Sequence, residues 1–114
     1  MFIINNARTT TLRRPDNLTT AYVTPFGSII ARDAAIEGGV DTTGLAISID
    51  GTVASVLGPA IELHKSETGF GGHSINIGEG GLARSASGTA ILAAGSSNSL
   101  INGGRILGDR KSVV

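Results

Sequence analysis

Residues 45–61 read LAISIDGTVASVLGPAI and residues 75–91 read INIGEGGLARSASGTAI. Laid over each other 30 positions apart (45 on 75), Leu45 falls on Ile75, Ile47 on Ile77, Gly51 on Gly81 and Gly58 on Gly88. The match closes with Gly58-Pro59-Ala60-Ile61 over Gly88-Thr89-Ala90-Ile91. A shift of 24 positions carries it outward in both directions. On the N-terminal side Val23 falls on Ile47, Gly27 on Gly51 and Ile29 on Val53, and one further residue of slip puts Ala35 and Ile36 on Ala60 and Ile61. On the C-terminal side Ile77 falls on Ile101, Gly80 on Gly104 and Leu82 on Ile106. Three apolar columns result: Val23, Ile47, Ile77, Ile101; then Ile29, Val53, Leu82, Ile106; then Ile36, Ile61, Ile91.

Each unit holds three short apolar segments separated by Gly, Asn, Asp, Ser or Pro. Internal repeats of this length signal a solenoid, in which the chain turns its corners and pairs with itself one rung up, roughly 4.8 Å away. The expectation is an all-β, single-stranded parallel β-helix (β-solenoid) of three to four rungs. One domain spans 1–114, with 1–21 a partial first rung or cap, 22–108 the repeats and 109–114 a terminal edge. Gly and Asn supply the corner conformations. The stretch Leu63 to Ser74 (LHKSETGFGGHS) reads as a corner insertion. The competing reading is an ordinary all-β domain with coincident Gly and Ile. Locally, Ser28 to Glu37 also reads as a short helix, with Ser28 as N-cap and Gly38 as stop.

Composition narrows the function classes. Aromatic residues are 4% with no Trp, so the core must be built from Ile, Val, Leu and Ala. Nine basic residues balance nine acidic ones. A neutral chain has no electrostatic footprint for nucleic acid or an anionic membrane. No Cys is present, which removes disulfides and thiolate metal sites. No apolar run approaches the roughly 20 residues that span a bilayer. The N-terminus MFIINNARTTTLRRPDN lacks the basic start and apolar stretch of a secretory signal.

The units GTAILAAGSSNSLINGGRILG and LAISIDGTVASVLGPAIEL carry Gly-x-Ala-Ile (Gly88 to Ile91), Asn-x-x-x-Asn-Gly (Asn98 to Gly103) and Gly-x-Ile-x-Gly (Gly104 to Gly108 around Ile106). On these motifs, residues 22–108 resemble the passenger repeats of bacterial autotransporters and haemagglutinin-like exoproteins, and the β-helical segments beside RTX repeats in secreted proteins. The resemblance implies a secreted or cell-surface stalk, spacer or adhesin.

Several patterns invite a site. RTX calcium loops need Gly-Gly-x-Gly-x-Asp, because Asp and backbone oxygens are the hard ligands. Gly71-Gly72-His73-Ser74-Ile75 and Gly78-Glu79-Gly80-Gly81 lack that Asp. Gly78-x-Gly80-x-x-Ala83 after Ile77 imitates a dinucleotide-binding turn, but such a turn must open a helix and be followed by an acid about 20 residues on. Glu62, His64, Glu67 and His73 gather around the insertion and form the nearest thing to an acid/base or zinc set, though such residues on a loop are ordinarily solvated. Asp50, Glu79 and Arg105 read as a charged stripe on successive corners. Ser96-Ser97 has no nucleophile-elbow context, and the sequon Asn17-Leu18-Thr19 reads as chance. No catalytic, cofactor-binding or metal residue is therefore assigned, and no cofactor is expected.

The function expected is a structural or adhesive, non-catalytic module. The alternative is a small carbohydrate-binding or polysaccharide-processing β-helix, which would want a sugar-stacking surface; the aromatics are only Phe2, Tyr22, Phe26 and Phe70. Expected partners are a second copy, through terminal rung edges, and a glycan or host surface, with no nucleic acid and no membrane insertion.

Overall fold

The computed structural model describes residues 2–10, 12–14, 20–38, 45–63, 72–86, 88–93, 98–108 and 110–113. They form fifteen strands and, among the described residues, no helix. The first rung is β1 (Phe2–Ile4), β2 (Ala7–Arg8) and β3 (Leu12–Arg14). The second is β4 (Thr20–Val23), β5 (Ser28–Ala31) and β6 (Ile36–Gly38). The third is β7 (Ala46–Ile49), β8 (Thr52–Ser55) and β9 (Ile61–Leu63). The fourth is β10 (Ser74–Ile77), β11 (Leu82–Ser85) and β12 (Thr89–Ala93). The fifth is β13 (Ser99–Asn102), β14 (Arg105–Leu107) and β15 (Arg110–Val113).

The strands build three parallel sheets, A (β1-β4-β7-β10-β13), B (β2-β5-β8-β11-β14) and C (β3-β6-β9-β12-β15). The chain visits A, B and C in turn and returns to A one strand further on, the arrangement of a parallel β-solenoid. The stack is five rungs deep, where the repeat alone marks three to four. Residues 2–14, expected as a partial rung or cap, supply three strands of their own. The repeat misses them because Asn5-Asn6 stands at the corner where later rungs place Gly, and the Asn6 carbonyl accepts the Ser28 N–H at 3.0 Å.

Side chains alternate in and out along the central strands, so β5 (SIIA) buries Ile29 and Ala31 and exposes Ile30, while β12 departs at a bulge and buries both Ala90 and Ile91. The inward residues of all three sheets share one core. Val23, Ile29, Ile36, Ile49, Val53, Ile61, Ile77, Ala83 and Ile91 are fully buried in it. The third expected column is observed as read, with Leu12, Ile36, Ile61 and Ile91 in register. The other two columns need correction. In sheet A, Val23 sits on Ile49 rather than Ile47, and Ile47 on Ile75 rather than Ile77. Ile101 sits on Asn76, faces outward and is 65% exposed. In sheet B, Ala83 rather than Leu82 joins Ile29, Val53 and Ile106, so Leu82 turns outward.

Corner length explains these slips. The A-to-B corner has four residues at 24–27 and 78–81 but two at 50–51 and 103–104. One fixed shift cannot register both sheets, and an error of one residue reverses the face of a strand. Gly27, Gly51, Gly81 and Gly104 each end this corner. A Cβ on any of them would overlap a carbonyl oxygen: Ile4, Gly27 and Thr24, Ile49, or Gly78, respectively. The helical reading of Ser28 to Glu37 also gives way. Stacking supplies the hydrogen bonds a helix would have supplied: Ala35 and Ile36 N–H donate to the Ala60 carbonyl, and Val56 and Leu57 N–H to those of Ala31 and Arg32.

Candidate functional site

The three sheets offer outer faces of different chemistry. Sheet C carries the aligned carboxylates Glu37 and Glu62, with Leu92 next in the row. Sheet A presents small neutral residues, Ser48, Asn76, Ser74 and Ser99, between Tyr22 and Ile101. Sheet B combines apolar and cationic residues. Its outward rows are Ser28, Thr52, Leu82 and Arg105, and beside them Ile30, Ala54, Arg84 and Leu107. None of its five strands contains an acidic residue.

A cavity of about 260 Å³ opens on sheet B, lined by Ile30, Thr52, Ala54, Ser55, Val56, Leu82, Arg84 and Ala86. Ile30 and Val56 are more than half exposed on its walls. Arg84 is its one charged lining residue. The cavity was hidden from sequence reading by the one-residue slip that turned Leu82 inward. The alternation Leu82-Ala83-Arg84-Ser85, with Ala83 and Ser85 buried, is the signal that reveals it.

The sequence-expected residues are scattered. His64 and Glu67 lie outside the described residues, as do Gly71, Ser96, Ser97 and the Asn17-Leu18-Thr19 sequon. Glu62 points outward from β9, half-buried. His73, expected on a solvated loop, is 1% exposed instead. It occupies the C-to-A corner between Leu45 below and Asn98 above. Its Nδ1 accepts the Leu45 N–H at 3.3 Å, and its own N–H donates to Asn98 Oδ1 at 2.9 Å. Asn98 Nδ2 donates in turn to the Ala93 carbonyl at 3.2 Å. Buried polar groups need partners, and this stack satisfies backbone groups where Gly-rich corners break the ladder.

Asp50, Glu79 and Arg105 do not form one stripe. Asp50 and Glu79 lie in the A-to-B corner, while Arg105 begins β14 on sheet B beside Leu82. The Gly78 to Gly81 turn leads into β11, where a dinucleotide loop would require a helix. Among the described residues no three His, Asp or Glu side chains gather as metal ligands.

Asp50 has a different task. Its Oδ2 accepts the Tyr22 hydroxyl proton at 2.7 Å, linking one rung to the next. This hydrogen bond, then desolvation, then the carboxylate charge raise the Tyr22 pKa above its ordinary value of 10.0. The folded chain thus holds the phenol proton more tightly than the unfolded one. The bond's contribution is complete below about pH 10 and is lost as pH rises through the raised value. Tyr22 is the only Tyr and there is no Trp, so ultraviolet absorbance follows this phenol alone. We expect tyrosinate formation above the ordinary value in the native protein, and a return toward it in urea or in Asp50→Asn. A native titration at the ordinary value would remove the bond.

Compared with protein-family models, with characterised proteins and with solved structures, the chain matches none of them.

Proposed function

We propose that this chain is a structural or adhesive, non-catalytic β-solenoid module of a secreted or surface-displayed bacterial protein. The observation that carries the reading is the stack itself: five rungs in parallel register around one apolar core. Such a fold is quasi-one-dimensional, each rung resting only on its neighbours, which suits a spacer that holds loops at fixed intervals. The outward residues of sheet A are mostly short and polar in its middle strands, Ser48, Ser74 and Asn76. The motif resemblance of residues 22–108 to exoprotein passenger repeats points the same way.

Self-association belongs to this reading. In the fifth rung Ile101 is exposed, and Leu100 and Ile106 are only partly buried against the core. The inward column ends there on Asn102, whose Oδ1 accepts the Gly104 N–H at 3.1 Å. Unpaired strand edges recruit further strands. At the other end Arg8 occupies the inward register below Ile29, and its Nε donates to the Thr10 carbonyl at 3.0 Å. A charge at the first rung discourages edge pairing there, so this reading places the contact at the fifth rung.

The test coats beads with the protein and measures their retention on cell and abiotic surfaces. A polysaccharide panel is assayed in parallel for new reducing ends, and light scattering follows a concentration series. Retention, growth in mass with concentration and no bond cleavage are expected. Release of reducing ends would establish the carbohydrate-processing alternative instead.

A further inference from the structure

We infer that the cavity on the outer face of sheet B is a binding site for a small amphiphilic carboxylate, an acyl chain carrying one anionic head, and that Arg84 receives the head.

The chemistry of the walls selects this class. Ile30, Val56, Leu82, Ala54 and Ala86 supply an apolar lining, and Thr52, Ser55 and Arg84 the polar atoms. Ile30 is 54% exposed and Val56 53%, and Leu57, beside Val56, is 56% exposed. Covering such surface is favourable in proportion to the apolar area removed from water. A neutral hydrocarbon would satisfy the walls but leave the guanidinium against an apolar body. A sugar acid would satisfy the guanidinium but place hydroxyls against Ile30 and Leu82. A carboxylate on a flexible acyl chain satisfies both.

Charge supports the assignment. Arg105, on the neighbouring strand, lies diagonally from Arg84 on the same face. Arg32 follows β5 in the corner one rung below Val56, with Asp33 next to it. The five strands of sheet B contain no acid, whereas sheet C carries Glu37 and Glu62. The outer face of sheet B thus presents Arg84 and Arg105 with no carboxylate on its own strands, in a chain that is neutral overall. Guanidinium binds carboxylate through paired, charge-assisted N–H donors. The size agrees: a 260 Å³ cavity falls just below the roughly 300 Å³ at which pockets for drug-sized ligands begin. An acyl chain of medium length suits it better than a long or branched one.

The probe is decanoate, titrated below its micellar range into the isotope-labelled chain and followed by amide chemical shifts. Saturable shifts confined to residues 28–32, 52–56 and 82–86 are expected. Arg84→Gln changes an exposed side chain and should leave the rest of the spectrum intact while weakening decanoate about tenfold. Leu82→Ser should weaken it similarly, and decanol should bind more weakly than decanoate in the parent. The inference fails if no saturable shift appears, or if Arg84→Gln binds decanoate as the parent does. It also fails if an oligogalacturonate displaces decanoate from the same amides, because the face would then read a sugar acid. Capture of the protein by anionic phospholipid vesicles, undiminished by decanoate, would assign the face to a lipid surface and overturn the inference as well.

Discussion

Ile61→Asp is expected to abolish the cooperative thermal transition. Ile61 is fully buried at the centre of the sheet C column, with Ile36 below it and Ile91 above. An introduced carboxylate there is held between rungs, with apolar side chains on either side in the stack. Burying an unpaired charge costs several kcal/mol even after relaxation. The lost burial of the isoleucine adds about 1.5–3 kcal/mol. Against a total stability of about 5–15 kcal/mol, a thin five-rung core cannot absorb both. Ile61→Val removes only one methylene and should cost about 0.5–1.5 kcal/mol. Because a buried carboxyl avoids its penalty by protonating, mildly acid solution should restore part of the Ile61→Asp structure. Circular dichroism melting curves for the three chains decide the matter. If Ile61→Asp superimposes on the parent at neutral pH, the inward column is wrong.

Gly51→Ala should be the most damaging conservative glycine change. A Cβ at this position meets the carbonyl oxygens of Gly27 and Thr24 together, with the Val23 side chain 3.0 Å away. Those obstacles are backbone of the rung below and cannot rotate aside. The rungs must part, which strains the Gly51 N–H to Val23 carbonyl bond of 3.2 Å and the Thr52 N–H to Gly27 carbonyl bond of 3.3 Å. Overpacking and two weakened hydrogen bonds together cost roughly 3 kcal/mol. For a chain of this size that lowers the melting temperature by roughly 10–20 °C. Gly58→Ala is the matched comparison, since the nearest atom to its Cβ is 3.8 Å away, an ordinary contact. Equal melting temperatures for the two variants would contradict close approach as the reason for glycine at the corner.

What the sequence made legible follows from how evenly the chain turns. Ile36, Ile61 and Ile91 were readable because the motif Ala-Ile recurs at or near the start of β6, β9 and β12. Sheet A was misread because its corners to sheet B differ by two residues between rungs, and Ile-x-Ile looks the same after a shift of two. Leu82 and Ala83 show the harder case. Both are apolar, so hydrophobicity alone does not say which faces inward, and the smaller one does. The same ambiguity concealed the cavity that Leu82 and Arg84 help to line. His73 was unreadable for another reason. Its neighbours Leu45 and Asn98 are 28 and 25 positions away in the chain, and only rung stacking brings them together.

The pairing of every strand with the strand one turn away also determines how the molecule responds to force. No sheet joins the first rung directly to the third, so a load applied along the stack need break only one rung boundary at a time. Each boundary is three short strand pairs laid side by side, and they are loaded one after another as the chain peels. A released rung of 19 to 30 residues yields roughly 60–110 Å of extended chain. Extension would therefore proceed one rung at a time from an end, and the remaining rungs would keep their register while the outer ones unwind. Refolding runs the same sequence backward, with a loop of one rung to close at each step. The stack behaves as a compact store of contour length, released and recovered in units of one turn.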